Sequence, residues 1–336
     1  MNSYERVMAM LNGENFDIVP ATNFTSVVTK ENLINFNIDY SKSHTDAISM
    51  ANLSALGHTV LGFDTITPYS SVLSEAAALG ASVNWGTHTK PPYLLKYAYD
   101  NLEDIKIPSD YMSSLEIRSI LNAIRLLKKS YDKKVAIIGK VIGPWSIAYN
   151  LYGADKLLLD MIIAPQSTKD KIMELSRVSI EFAKAQFKAG ADALLWAEHS
   201  TRDLISAKSY NEFILPMHKN ATAELGKDKP LILHICGNLE DRLEFIADSG
   251  FNCLHLDSRN DIPKVAAVLG NRCKIVSCIN NPNTLLRGTP LTIKKEVAMN
   301  LSNKIYAIGP ECAIPTNVTN QNLKLLTQLA HNHRPA

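Results

Sequence analysis

Apolar runs of strand length alternate with longer stretches of helical period, and this alternation limits the folds open to the chain. Strand-like runs occur at Ile18–Phe24, His58–Asp64, Val135–Val141, Ala191–Glu198, Leu231–Cys236, Asn252–Asp257, Lys274–Ile279 and Lys304–Ile308, with Ser82–Trp85 as a weaker ninth. Helical patterns lie between them at Ser114–Tyr131, Thr168–Lys188, Asn211–Leu225, Leu239–Asp248 and Ile293–Leu301. An opening helix carries Tyr4, Val7, Met8 and Leu11 on one face and stops at Gly13. Strict strand–helix alternation implies a parallel sheet covered by helices. Eight such runs in 336 residues predict an α/β fold closed into a (β/α)8 TIM barrel. The predicted architecture is a single domain over residues 1–336, with an N-terminal helical extension and an insertion between strands 2 and 3. That insertion, Thr65–Lys134, would carry Ser82–Trp85 in a hairpin. An open doubly wound sheet would need a Gly-rich turn after its first strand, and residues 20–30, PATNFTSVVTK, contain no glycine.

Charge excludes several partners. Thirty-five Lys and Arg against 33 Asp and Glu leave a formal charge of +2, too little for a general nucleic-acid binder. No apolar run approaches the ~20 residues that span a bilayer. Glu5 and Arg6 stand where a signal peptide would begin its apolar stretch, so a soluble, cytoplasmic protein with no membrane partner is expected. Nothing specifies an oligomeric state; a homodimer is compatible with the sequence.

The five cysteines all lie after residue 235, a low and odd count that points to reduced thiols rather than a disulfide scaffold. In LILHICGN, Leu231–Asn238, strand alternation puts His234 and Cys236 on one side of one strand end. An imidazole and a thiolate so placed suit zinc, and Cys312 in GPECAIP, after the last strand, fits as a third ligand. Cys278, ending the seventh strand, competes with Cys312 for that role, whereas Cys273 begins the strand at the wrong end of the barrel. Asp257 closes the next strand and is placed to occupy a fourth, exchangeable position. Cys253 and His255 share its face but sit deeper, where core packing is the expected role. Glu198 and His199 end the fourth strand as candidate acid/base or substrate-contact residues, with a polar cluster ahead of a helix as the alternative. Gly143-Pro144 in IGPWSIA is expected at the pocket mouth or in a strand–helix turn, and His44 as a helix cap. The chain carries no nucleophile elbow, P-loop or H-E-x-x-H.

A His/Cys/Cys zinc site is electron-rich and a poor activator of water. It is better suited to a substrate thiol, since coordination removes the thiol proton near neutral pH and leaves a nucleophile able to take a methyl group. Thiol alkylation is therefore the first reaction class the residues suggest, and hydrolysis the second.

HICG, the Asp in HLDSRND, INNPNTLLRGTP and GPECAIP resemble the uroporphyrinogen decarboxylase superfamily, and within it the methylcobamide:coenzyme M methyltransferase branch. The similarity extends through HTDAISMANLSALGHTVLGFD, GTHTKPPYL and VIGPWSIA. True decarboxylases carry an Arg-rich segment near the N-terminus, and residues 20–35 here contain no Arg. The resemblance implies a TIM barrel holding Zn2+ through His234, Cys236 and Cys312, with Asp257 near a fourth position. It also implies a corrinoid protein as partner, presenting a methylated corrinoid to a small thiol such as coenzyme M. Two alternatives accompany it. One is demethylation of a methoxylated aromatic or methylated amine onto cob(I)amide, with Trp196, Tyr149, Tyr152 and His199 as an aromatic wall. The other is a non-catalytic docking subunit for a corrinoid protein. The chain departs from its relatives in carrying Ala197-Glu198-His199 where several have Asp-Pro, and Cys278 where Gly is frequent.

Overall fold

The structure is a computed structural model and describes residues 1–335 apart from Ser26 and Asp228. Strands β1 (Thr65–Ile66), β4 (Ala136–Ile142), β5 (Ala193–Glu198), β6 (Leu231–Ile235), β7 (Cys253–His255), β8 (Lys274–Ile279) and β9 (Ala307–Pro310) form one curled parallel sheet in that order. A separate antiparallel hairpin, β2 (Ser82–Asn84) with β3 (Tyr93–Lys96), occupies the insertion. The fold is a (β/α)8-type barrel.

The eighth place around the barrel is filled by the segment at 20–22 rather than by a full strand. Ala21 bridges Ile308, with Thr22 N–H donating to the Ile308 carbonyl at 2.9 Å and Ile308 N–H to the Pro20 carbonyl at 3.1 Å. Toward β1 only one ladder bond forms, from Asp64 N–H to the Ala21 carbonyl (2.7 Å). Side chains take the rest: Ala21 N–H donates to Asp64 Oδ2 (2.9 Å) and Asn23 N–H to Thr65 Oγ1 (2.9 Å). The expected strand Ile18–Phe24 therefore shrinks to a bridge. The expected strand His58–Asp64 is displaced as well. The helix Ala47–Thr59 runs through His58, a turn follows with Gly62 at φ 83°, and the extended backbone begins at Thr65.

The other elements follow local chemistry. Ser3–Asn12 is a helix opened by a capping box from Asn2 and Glu5 and closed by left-handed Gly13. Ser114 caps Leu115–Tyr131, and Gly190 ends the long helix Pro165–Ala189. The expected helix Asn211–Leu225 opens with a π-turn, Tyr210–Ile214, because Pro216 has no N–H to continue the ladder. The one expected at Leu239–Asp248 shortens to Leu243–Ala247.

Alternation along the strands divides the barrel interior. Ala136, Ile138, Ala193, Leu195, Ile232, Cys253, Val276 and Ala307 form an apolar layer, sealed below by Val7, Met10 and Leu11 of the opening helix. The N-terminal extension is thus the barrel's plug. Two residues further along β4, β6, β7 and β8, the same face turns polar: Lys140, His234, His255 and Cys278. Among the described residues, no helix is long and apolar enough to cross a membrane.

Candidate metal centre

His234, Cys236 and Cys312 converge at the carboxyl end of the barrel. One ligand atom from each lies within 4.8 Å of the others, and His234 Nε2 is 3.3 Å from Cys236 Sγ. His234 is buried, and the two cysteines are half-buried and free. Soft thiolates with one imidazole are the donor set of a three-ligand zinc site that keeps a position open, so the residues fit that ion. The group includes Cys312, whereas Cys278 Sγ instead sits 3.1 Å from His255 Nε2. Cys273, just before the same strand, is buried in the core.

Each candidate ligand is held by its neighbours. Gly237, at φ 91°, turns the chain after Cys236, and a Cβ there would meet Thr201 Oγ1 at 2.3 Å. Its N–H donates to Asp257 Oδ2 at 2.8 Å. Asp257 also accepts from the Arg259 backbone (3.0 Å), Nε (3.2 Å) and Nη2 (3.2 Å). Asp257 lies outside the three-residue group, and its bonds brace the turn that carries Cys236. Cys312 is staked from two sides. Glu311 accepts from Ser258 Oγ (2.6 Å) and Asn281 N–H (2.7 Å), while Asn281 Nδ2 donates to the Cys312 carbonyl (2.8 Å).

The electrostatics separate the two thiols. The hydrogen bond from Cys236 holds Cys312 well below the ordinary thiol range against its burial, and His234 adds to this. The same bond, together with burial, pushes Cys236 up. Burial alone would lower His234, but the hydrogen bond and charge of Cys312 outweigh it and raise the pKa. Of the two thiols, Cys312 is the one whose surroundings favour loss of the proton.

A cavity of about 200 Å³ opens onto these three residues and is also lined by Tyr69, Lys140, Glu198, His199 and, from the hairpin loop, Pro91 and Pro92. Glu198 Oε2 accepts from Ser146 N–H (3.0 Å) and Ser146 Oγ (2.6 Å), at the start of the helix Pro144–Tyr152. Burial pushes its pKa up to about 7 despite those bonds. Gly143 has to be glycine for Glu198 to lie there: a Cβ would stand 1.9 Å from Oε1 and 2.5 Å from Trp196 Nε1. Gly143-Pro144 is therefore a packing turn and not among the residues lining the cavity. Trp145 Nε1 donates to the His199 carbonyl (3.1 Å), and His199 N–H donates to Ser146 Oγ (2.7 Å), so the WS pair holds both candidate acid/base residues. His199 Nδ1 has no hydrogen-bond partner, and burial lowers its pKa more than the charge of Cys312 raises it.

Three expectations are corrected. The aromatic wall forms only in part: Tyr149 lies against the cavity residue His199, ring centroids 5.9 Å apart, whereas Trp196 packs against His218 and Phe251 and Tyr152 bonds Asp160 Oδ2 at 2.9 Å, both away from the cavity. His44 caps nothing; Asp46 caps the helix Ala47–Thr59, and His44 is buried against Trp85. His255 is buried like its core neighbours but hydrogen-bonds both His234 and Cys278. Sequence reading also passed over Lys140, a cavity-lining cation whose pKa burial lowers to about 8 against the attraction of Glu75 and Cys312. A lone Lys inside the apolar run Val135–Ile142 was the available signal.

A profile of the uroporphyrinogen decarboxylase (URO-D) family matches residues 2–333. The chain belongs to that family. Within the URO-D family it is 28% identical to the methylcobamide:CoM methyltransferase MtbA of Methanosarcina acetivorans over 98% of each chain. It is also 28% identical to the methylated-thiol–coenzyme M methyltransferase of Methanosarcina mazei, over 96% of this chain and 88% of that one. A solved methyltransferase from Methanosarcina mazei superposes with a TM-score of 0.94 at 26% identity, covering 99% of both chains. This URO-D member is an enzyme, a methyltransferase.

Proposed function

We propose that the chain transfers a methyl group from a methyl-Co(III) corrinoid, carried by a partner protein, to a small thiol such as coenzyme M, with Zn2+ held by His234, Cys236 and Cys312. The convergence of one imidazole and two thiols within 4.8 Å on the floor of a small cavity carries this reading. Full-length likeness to thiol methyltransferases supports it. Zinc, when bound, supplies the positive charge that makes a substrate thiol lose its proton and stay nucleophilic.

The chain's own residues do the rest. His199, with its free Nδ1 on the cavity wall, receives the thiol proton. Lys140 faces the same space as a buried cation and matches an anionic acceptor. Asp257 braces the Cys236 turn, and Glu198 fixes the helix that holds His199. The sulfur electron pair then forms the C–S bond, while the C–Co bond breaks with both electrons left on cobalt. The reverse transfer from a methoxylated aromatic would have only the Tyr149–His199 pair of the expected wall, since Trp196 and Tyr152 point elsewhere.

The test is anaerobic mixing of purified protein with methylcobalamin, followed by visible absorbance. We expect methylcobalamin to be consumed only when coenzyme M is added, and neither activity nor bound zinc to survive in His234→Ala, Cys236→Ala or Cys312→Ala. Cys253→Ala should keep both. Thiol-independent consumption, or full zinc in Cys312→Ala, would overturn the assignment.

A further inference from the structure

Behind the ligand His234 lies a second polar pair that the reaction above leaves unused. His255 of β7 stands directly opposite His234 of β6 in the parallel register. Their Nδ1 atoms are 2.9 Å apart, and His255 Nε2 is 3.1 Å from Cys278 Sγ. Cys278 Sγ in turn faces the Val276 carbonyl at 4.0 Å. His255 is fully buried, with Phe24 edge-on to its ring at 5.7 Å, and Cys278 is nearly so.

Two neutral imidazole nitrogens at this distance need one hydrogen between them, so one is the donor and the other presents a lone pair. A metal on His234 takes the Nε2 lone pair, which leaves the hydrogen on Nδ1. His255 Nδ1 must then be the acceptor, and its own hydrogen sits on Nε2, aimed at Cys278 Sγ. The thiol hydrogen is left for the Val276 carbonyl. The direction is the same throughout, and the Pro310 backbone also hydrogen-bonds the His255 ring. The His255 carbonyl, 3.2 Å from His234 Nδ1, shares the first hydrogen.

We infer that His255, backed by Cys278, is a positioning residue that fixes the tautomer and ring orientation of His234 for metal binding. This rests on the metal reading of the His234, Cys236 and Cys312 group. Partners of this kind behind a ligating histidine are worth about 10–100-fold in metal affinity.

Zinc affinity measured by competition with a chromophoric chelator tests it, in the wild type, His255→Leu and His255→Asn, alongside imidazole 15N chemical shifts of the zinc-loaded wild type. His255→Leu should bind zinc about 10–100-fold more weakly. His255→Asn, whose amide oxygen can take the place of Nδ1, should recover most of the loss. The 15N shifts should place the His255 hydrogen on Nε2. Wild-type affinity in folded His255→Leu, equal losses in both variants, or a hydrogen on His255 Nδ1 would overturn the inference while leaving the metal site standing. If His255→Leu fails to fold, the 15N shifts decide. A wild type that binds no zinc would instead overturn the metal reading, and this inference with it.

Discussion

Glu198 shows how a single residue can sit in the site and serve the scaffold. Its Oε2 anchors the first turn of the helix Pro144–Tyr152 through Ser146, while burial raises its pKa to about 7. A carboxyl whose folded pKa lies above its ordinary 4.5 stabilises the fold fully at pH below 4.5 and loses that contribution as pH rises through about 7. Glu198→Gln keeps an oxygen for Ser146 and removes the buried charge. We expect it to be more stable than wild type at pH 8 by on the order of 1–3 kcal/mol, with the gap closing toward pH 5. Urea midpoints across that range would measure it; a gap independent of pH would show that Glu198 does not titrate there. That Glu198 and His199 would stand at the open end of the barrel was legible from their place at a strand end. Their anchoring by Ser146 and Trp145 was not, because those bonds join residues about 50 positions apart.

At the scale of elements, one carboxylate gathers several of the bonds that close the barrel. Asp64 Oδ1 accepts from Ser3 Oγ (2.7 Å) and Arg6 Nη1 (2.8 Å), and Oδ2 from Ala21 N–H (2.9 Å) and His331 Nε2 (2.7 Å). It thereby ties the plug helix, the closing segment and the last helix, Asn320–His331, to the start of β1. Burial works against its ionisation, but the bonds from His331, Ser3 and Arg6 keep its pKa below the ordinary carboxylate value. Stability from such a depressed pKa is present above about 3.8 and lost as pH falls. Asp64→Asn should cost roughly 3 kcal/mol at pH 7, since Arg6 and His331 lose a buried partner, and the cost should shrink in acid. Chemical denaturation at the two pH values checks both the size and the sign. Run periodicity located the elements, yet it misplaced the second strand and overdrew the first. Both errors lie where side chains of Asp64 and Thr65 replace backbone ladder bonds.

For the whole molecule, the barrel brings the candidate ligands at the end of β6 and in the loop after β9 to one point although Cys236 and Cys312 are far apart in sequence. A ligand that binds only the folded state stabilises it by mass action, about 2.7 kcal/mol at a hundredfold excess over Kd. We expect zinc to raise the melting temperature of chelator-treated protein by a few degrees. Calorimetric scans with and without the ion would show it, and the shift should vanish in Cys236→Ala. An unchanged Tm in the wild type would count against a site formed only on folding.

The amino-acid sequence by itself determined the alternation of strands and helices, hence the parallel barrel, and the parity that puts His234 and Cys236 on one side of β6. Both follow from local periodicity, which each segment carries alone. Only the tertiary structure brought Cys312 rather than Cys278 beside His234 and Cys236, turned Asp257 toward the Gly237 amide and Arg259, and placed His255 behind His234. Those choices depend on the curvature and register of strands that meet only once the sheet has closed, and no local pattern encodes the distance between them.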